Sequence, residues 1–447
     1  MSQISHIKYK DIIEAWRFDA DFFRPDFIKL ENTLKRNNCD YLKDYCYFVK
    51  KGIFDISPLK YKTKWVPFLR VSNTKSFFIN TSDLVFLDEE THNENKWTEL
   101  NLWDIALSKV WTIGDAVINL DYEKVNISQN NIWIKIKHNL IDSWFIVAFL
   151  NSKYGKGQIK KKQSWQVQEK LVLDDIKYLQ IPRIDNEKEI WDFIRLAYDK
   201  LWQSKQLYQD AEDLLLTELW LKEHTISHTL TFSTTKKAVD EAWRYDADYF
   251  QPKYDELIKK IENYKWGWEY VENCIKVQDK NFIPEKWKLY KYIALANVSA
   301  QWFISDCEEN YWENLPTRAR RILHKWDVIV SSIEWSLSSC AVIEDEFDWW
   351  LCSNWFYVLN SNFFNSECLL VLFKSNIIQT LLKKWCSWTI LTAISKDELN
   401  KIKIPLINPQ LQKEISDKIK ESFKLRNESK ELLEQAKKMV EDEIEKE

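Results

Sequence analysis

The sequence predicts α/β (α+β) globular domains, tandemly duplicated and joined by two long helices that pair as a coiled coil. Three observations predict it. The chain contains an internal repeat, each repeat mixes short β-type runs with helical stretches, and each ends in a long Pro-free amphipathic segment. At 447 residues the chain is also too long for one compact core.

The repeat is the first element to justify. EAWRFDADFFRPDF begins at Glu14 and EAWRYDADYFQPKY at Glu241, a shift of 227 residues with nine of fourteen positions identical. WDIALSKVWTIGDAV from Trp103 matches WDVIVSSIEWSLSSCAV from Trp326. SWQVQEKLVLDDIKYLQIP from Ser164 matches SWTILTAISKDELNKIKIP from Ser387, and the Trp-to-Pro spacing is 17 residues in both. The unit of duplication is therefore near 225 residues.

The long helices come next. Beyond Glu187 the apolar residues Ile190, Ile194, Ala197, Leu201, Tyr208, Ala211, Leu215 and Leu219 fall at three-, four- and seven-residue steps. Beyond Gln410 the counterparts are Ile415, Ile419, Phe423, Leu433, Ala436, Val440 and Ile444. Such a stripe marks an amphipathic helix, and opposite charges such as Glu434 and Lys438 support it at i,i+4. An exposed helix with an apolar stripe needs a partner, so the two are expected to pack on each other.

Between the helices, blocks of about 150 residues carry β-type runs: DVIVSSI from Asp327, SCAVI from Ser339 and FYVL from Phe356. FIVAFLNS from Phe145 reads as helix. The order of the strands is not derivable from these runs.

Twenty-four Trp against five Gly reverses ordinary usage, in which Gly is about 7% of residues. Trp103 and Trp326 each precede Asp where a tight turn needs φ > 0, Trp349 and Trp350 follow Phe347-Asp348 in an Asp-Gly-Gly setting, and Trp220 closes a helix. Many of these positions are therefore expected to be glycine in a source organism that reads UGA as Gly. The competing reading is a Trp-rich protein whose indoles stack on sugars or bases.

Bulk properties narrow the function classes. No run of eighteen apolar residues exists, which argues against a membrane span. The amino-terminal stretch meets acidic residues before any apolar run, unlike a secretory signal, so a cytoplasmic location is expected. The eight cysteines form no CxxC pair and the six histidines no ligand-like spacing, so buried free thiols and no metal are expected. A net charge of −4 means that nucleic-acid binding needs a local basic face or a partner that supplies charge.

Taken with glycine at the anomalous positions, 316–321 reads as a proline-Thr-Arg-Ala-Arg-Arg stretch, Trp326-Asp327 as a Gly-Asp strand entry, and 353–356 as Ser-x-Gly-Phe. With RFDADFF/RYDADYF, the segments ending at Pro182 and Pro405, and Gln410 and Gln412 opening the last helix, this resembles the specificity subunits of type I restriction-modification systems over essentially the whole chain. The first block matches less well, since PFLRVSNTKSFFI from Pro67 only loosely parallels YIALANVSAQWFI from Tyr292. The resemblance implies target-recognition domains at 1–182 and 226–405, with spacer helices at 183–225 and 406–447 running antiparallel. It implies double-stranded DNA, two modification (methyltransferase) subunits and restriction subunits as partners, each domain reading one half of a bipartite asymmetric target. A helix of about 35 residues spans roughly 50 Å, on the order of one or more DNA turns.

Candidate DNA contacts are basic. Thr317, Arg318, Arg320 and Arg321 form the densest cluster, suited to phosphates or a guanine edge. Lys60, Lys62, Lys64 and Arg70 alternate near an expected strand, and Lys160, Lys161 and Lys162 precede Gln163 and Ser164. Solvated or domain-packing charge is the alternative for each group. Asn73 and Asn297, at equivalent places in the repeat, read as turn formers. The duplicated Arg17-x-Asp19-x-Asp21 and Arg244-x-Asp246-x-Asp248 invite a metal or catalytic reading, but their alternation with aromatics argues for a structural junction.

No catalytic residue or cofactor is expected. Gly155-Lys156-Gly157 lacks phosphate-loop spacing, and Asn408-Pro409 continues into Gln410-Leu411 rather than a methyltransferase motif. A duplicated Trp-rich glycan-binding protein and a coiled-coil scaffold are the alternatives to DNA recognition.

Overall fold

The computed structural model describes residues 6–54, 56–163, 171–299, 303–305, 307–386 and 392–446, with side chains at all but Glu14 and Glu308. Ser164 and Ser387, which open the third repeated motif, lie outside the described residues. The chain forms two compact units, residues 1–202 with 426–447, and residues 203–425. The division falls within both long helices, Glu187–Glu218 and Pro409–Glu445, rather than at their ends.

In the first unit Cys39–Tyr41 pairs antiparallel with Gln180–Pro182. A five-stranded sheet runs in the order Cys46–Lys51, Asn131–Ile136, Ile105–Ser108, Ala116–Ile118, Phe77–Phe78. A three-stranded sheet sets Val66–Leu69 between Val85–Leu87 and Asn126–Ile127. The apolar helix Ser143–Asn151 is buried at every position, as its lack of a polar face requires.

The second unit repeats this plan. Trp268–Tyr270 pairs with Lys403–Pro405, so Pro405 meets Trp268 as Pro182 meets Cys39. One sheet runs Lys276–Gln278, Phe356–Asn360, Val328–Ser331, Cys340–Val342. The other runs Glu308–Tyr311, Leu289–Ile293, Leu351–Ser353, Ala319–Ile322. Each unit carries a parallel pair at the same place, Phe68 with Asn126 and Tyr292 with Leu351, and the first adds a second, Phe77 with Val117. The two blocks thus share seven strands in one order although their sequences match loosely, and each adds an edge strand of its own, Phe77–Phe78 in the first and Ala319–Ile322 in the second.

Within each unit the two long helices pair antiparallel. In the first, Ser429 Oγ donates to the Ala197 carbonyl at 2.7 Å and Lys200 meets Glu428 at 2.5 Å, while Ile190, Ile194 and Ala197 share a core with Ala436, Val440 and Ile444. In the second, Ser422 Oγ donates to the Ser204 carbonyl at 2.8 Å and Lys418 meets Asp210 at 3.3 Å; Ala211, Leu215 and Leu219 pack in one core with Ile415 and Ile419. The apolar stripes read from the sequence are the buried seam. Glu434 bonds Lys437 at 2.5 Å rather than Lys438, the i,i+3 neighbour being equally close on a helix.

The expected turns are present. Trp103, Trp220, Trp326 and Trp349 have φ of 72°, 59°, 70° and 64°. Trp350 does not; its ring packs edge-on to Phe347 at 4.9 Å beside the core. Every cysteine is a free thiol, six of the eight buried. Among the described residues no helix is long and apolar enough to cross a membrane.

Candidate nucleic-acid interface

In the first unit the strand Val66–Leu69 ends against the turn that joins Asn126–Ile127 to Asn131–Ile136. The Leu69 carbonyl accepts from Ser128 N at 2.9 Å and from Asn131 Nδ2 at 3.1 Å, which delivers Arg70 to that turn. Arg70, Tyr61, Phe68, Ser128 and Gln129 line one cleft of about 320 Å³. Arg70 Nη2 is held by Asp83 Oδ2 at 2.9 Å, and its guanidinium stands 5.9 Å from the Tyr61 ring. Arg70 Nε and Ser128 Oγ are buried and have no hydrogen-bond partner among the described residues. The exposed face of the cleft offers the Arg70 guanidinium and Gln129 beside aromatic walls, groups of the kind that bond a base edge or a phosphate oxygen.

In the second unit the equivalent turn joins Leu351–Ser353 to Phe356–Asn360. Here the arginine stands just before the edge strand Ala319–Ile322, and the Arg318 carbonyl accepts from Asn354 N at 2.8 Å. Thr317 and Arg318 are exposed, while Arg320 and Arg321 are half-buried along the bulged strand Ala319–Ile322. Arg321 Nη1 donates to the Asp279 carbonyl and to Asn281 Oδ1, which fixes it in the unit. The Asp279 carboxyl, bonded by Lys396 Nζ at 2.8 Å, is held below the usual carboxylate range by that bond.

The lysines divide. Lys60 and Lys62 are exposed and lie 3.8 Å from Glu94 and Asp88, and Lys64 stands near the Trp65 ring. Lys160 is exposed and Lys162 half-buried at the end of Lys153–Lys162. Lys161 is only 6% exposed: it meets Glu31 at 2.6 Å and lies 4.3 Å from the Phe22 ring. Its burial lowers its pKa despite Glu31. Facing inward from its helix, Lys161 packs the unit together and offers no surface charge.

The duplicated Arg-x-Asp elements are structural in both copies. Arg17 grips Asp19 through two bonds of 2.6 and 2.8 Å and stands 4.9 Å from the Phe22 ring. Arg244 repeats this with Asp246 and with Tyr249 at 4.7 Å. No group of three or more His, Cys, Asp or Glu side chains is arranged to hold a metal among the described residues. Asn73 and Asn297 form turns, their Oδ1 atoms accepting from Arg70 N at 2.9 Å and Ala294 N at 2.7 Å.

No family model matches the chain, and no curated protein matches it. Solved structures do. The chain is similar to the type I restriction-modification S subunit of M. genitalium, at 14% identity over 92% of this chain and 96% of that one, with a TM-score of 0.40. It is similar to a chain from a structural study of complex assembly and conformational transition of the type I R-M system (12%, 91% and 96%, TM-score 0.29). It is also similar to the HsdS subunit from Thermoanaerobacter tengcongensis (11%, 89% and 96%, TM-score 0.27).

Sequence reasoning missed Gln129 and Tyr61, which share the Arg70 cleft. The polar run from Ser128 to Asn131, interrupting two apolar strands, was the available signal.

Proposed function

We propose that this chain is the sequence-recognition subunit of a type I restriction-modification complex, a non-catalytic DNA-binding protein acting in the cytoplasm. Residues 1–182 and 226–405 are the target-recognition domains, and 183–225 and 406–447 the spacer helices. Each domain reads one half of a bipartite, asymmetric site on double-stranded DNA, and the subunit positions two methyltransferase subunits and their restriction partners.

One observation carries this reading: two units that share a common order of strands, each with one edge strand the other lacks, bring an arginine to the same turn by different routes. Arg70 follows the strand Val66–Leu69 into the cleft with 128–130, and Arg318, just before the added edge strand Ala319–Ile322, accepts from Asn354 N through its carbonyl. A preserved scaffold with a rebuilt contact point is what two readers of unlike half-sites require, because base edges discriminate through the placement of donors and acceptors. Arg318 and Arg320, with Arg70, Lys60, Lys62, Lys64, Lys160 and Lys162, supply local positive charge that the net charge of −4 does not, and Thr317 adds a hydroxyl beside Arg318. Arg321 sets the position of its neighbours.

Methylome sequencing of cells that express the chain with its methyltransferase tests the proposal. A methylated motif with two specified halves and an unspecified spacer is expected. Methylation without such a motif, from an intact methyltransferase, contradicts it.

A further inference from the structure

Ten non-glycine residues in the described chain have positive φ, and nine of them are tryptophan: 16, 65, 103, 111, 220, 243, 287, 326 and 349. We infer that the gene specifies glycine at these nine positions, through a codon, UGA, that its own cell reads as Gly. Bulky residues avoid this region of backbone space, and tryptophan is among the bulkiest.

The local geometry supports the assignment residue by residue. Asp104 N bonds the Asn101 carbonyl and Asp327 N the His324 carbonyl, which makes Trp103 and Trp326 the third residues of four-residue turns. Lys288 N with the Glu285 carbonyl, and Trp350 N with that of Phe347, do the same for Trp287 and Trp349. With positive φ that place belongs to glycine or asparagine. At the end of Glu187–Glu218, Leu221 N bonds the Leu216 carbonyl at 2.8 Å and Trp220 N that of Thr217 at 3.0 Å. These two bonds define a Schellman cap with Trp220 at its glycine position. Trp16 and Trp243 end the duplicated helices Tyr9–Ala15 and Lys236–Ala242 with φ of 50° and 51° and ψ of 33° in both.

Packing gives these indoles little support: Trp103 meets Trp144 at 5.8 Å and Trp349 meets His324 at 4.8 Å, but none is buried. All nine are exposed, from 41% at Trp326 to 88% at Trp243. Trp133 in a strand and Trp144 in a helix, by contrast, are buried, lack positive φ, and are assigned as genuine tryptophan. The inference bears on function at Trp111, which lines the cleft that holds Arg70 and Ser128. Glycine there leaves that cleft open to a ligand. It also confines the protein to cells that share the code, because a host that stops at UGA ends the chain before residue 16.

Peptide mass spectrometry of the protein purified from its own cells tests the inference. Glycine residue masses are expected at all nine positions, with tryptophan at 133 and 144; tryptophan at any of the nine overturns the assignment there. A second measurement compares the written chain with a version carrying glycine at all nine. The glycine version is expected to unfold at a higher temperature, whereas Trp133→Gly alone lowers it. An unchanged or lower unfolding temperature for the glycine version overturns the inference.

Discussion

Arg244 donates two parallel hydrogen bonds to Asp246, from Nε at 2.8 Å and Nη2 at 2.9 Å, and Arg17 makes the same clasp on Asp19. Arg244 Nη2 also reaches the Cys386 carbonyl at 3.1 Å, tying the segment before Pro252–Glu262 to the end of Asn376–Lys384. In the second unit the motif is therefore a staple between elements, and the Arg-Asp clasp itself is common to both units.

Asp246→Asn is predicted to destabilise the second unit by about 1 kcal/mol, the value of a charge-assisted pair discounted for partial solvent screening. The bond from Arg244 lowers the Asp246 pKa below its ordinary value of 3.8. A depressed carboxylate stabilises above its unfolded pKa, and that contribution disappears as pH falls through the folded value. Denaturation midpoints from pH 7 down to pH 2 are expected to show a smaller acid loss in the variant than in the parent.

Ser204 and Ser422 are buried at the helix seam, with Oγ atoms 2.9 Å apart. Ser422→Ala should cost about 1 kcal/mol through the lost bond to the Ser204 carbonyl. Ser422→Leu should cost more, about 1–3 kcal/mol, because the closely packed helices have no room for it. Thermal unfolding followed by circular dichroism ranks the two.

The thiols are predicted to resist alkylation in the folded protein. Burial pushes Cys340 and Cys368 up to about 12 and the half-buried Cys39 to about 11, so little thiolate exists at pH 8. Iodoacetamide at that pH should leave Cys340 and Cys368 unmodified until denaturant is added. Rapid labelling of either without denaturant contradicts the core described here.

Arg70→Ala and Arg318→Ala are each predicted to weaken DNA binding by about 1–3 kcal/mol if the side chain reads a base, with specificity relaxed in one half-site only. A uniform loss across sequences, with a salt dependence shallower by about one ion, marks a phosphate contact instead. Binding titrations at several salt concentrations against variant half-sites separate these outcomes.

Much of the architecture was legible because it depends on local pattern. The stripes ending in Leu219 and Ile444 showed helix and partner at once, and the Trp103 and Trp326 turns were visible from the Asp that follows each. Strand order was not legible, since the parallel pairing of Phe68 with Asn126 depends on contacts nearly sixty residues apart that no periodicity encodes. For the same reason the sequence grouped Arg318, Arg320 and Arg321 as one patch, whereas the strand bulge turns Arg321 toward Asp279 and leaves Arg318 outward. Lys161 looked like surface charge among lysines, yet the helix period points it at Glu31. Gln129 became a candidate only when folding brought Arg70 beside it.

Exchange of residues 25–182 for the corresponding block of a type I specificity subunit, followed by methylome sequencing, tests the proposed two-reader account most directly. One half of the methylated motif is predicted to change while the other half stays as it was. A motif altered in both halves, or in neither, contradicts the account.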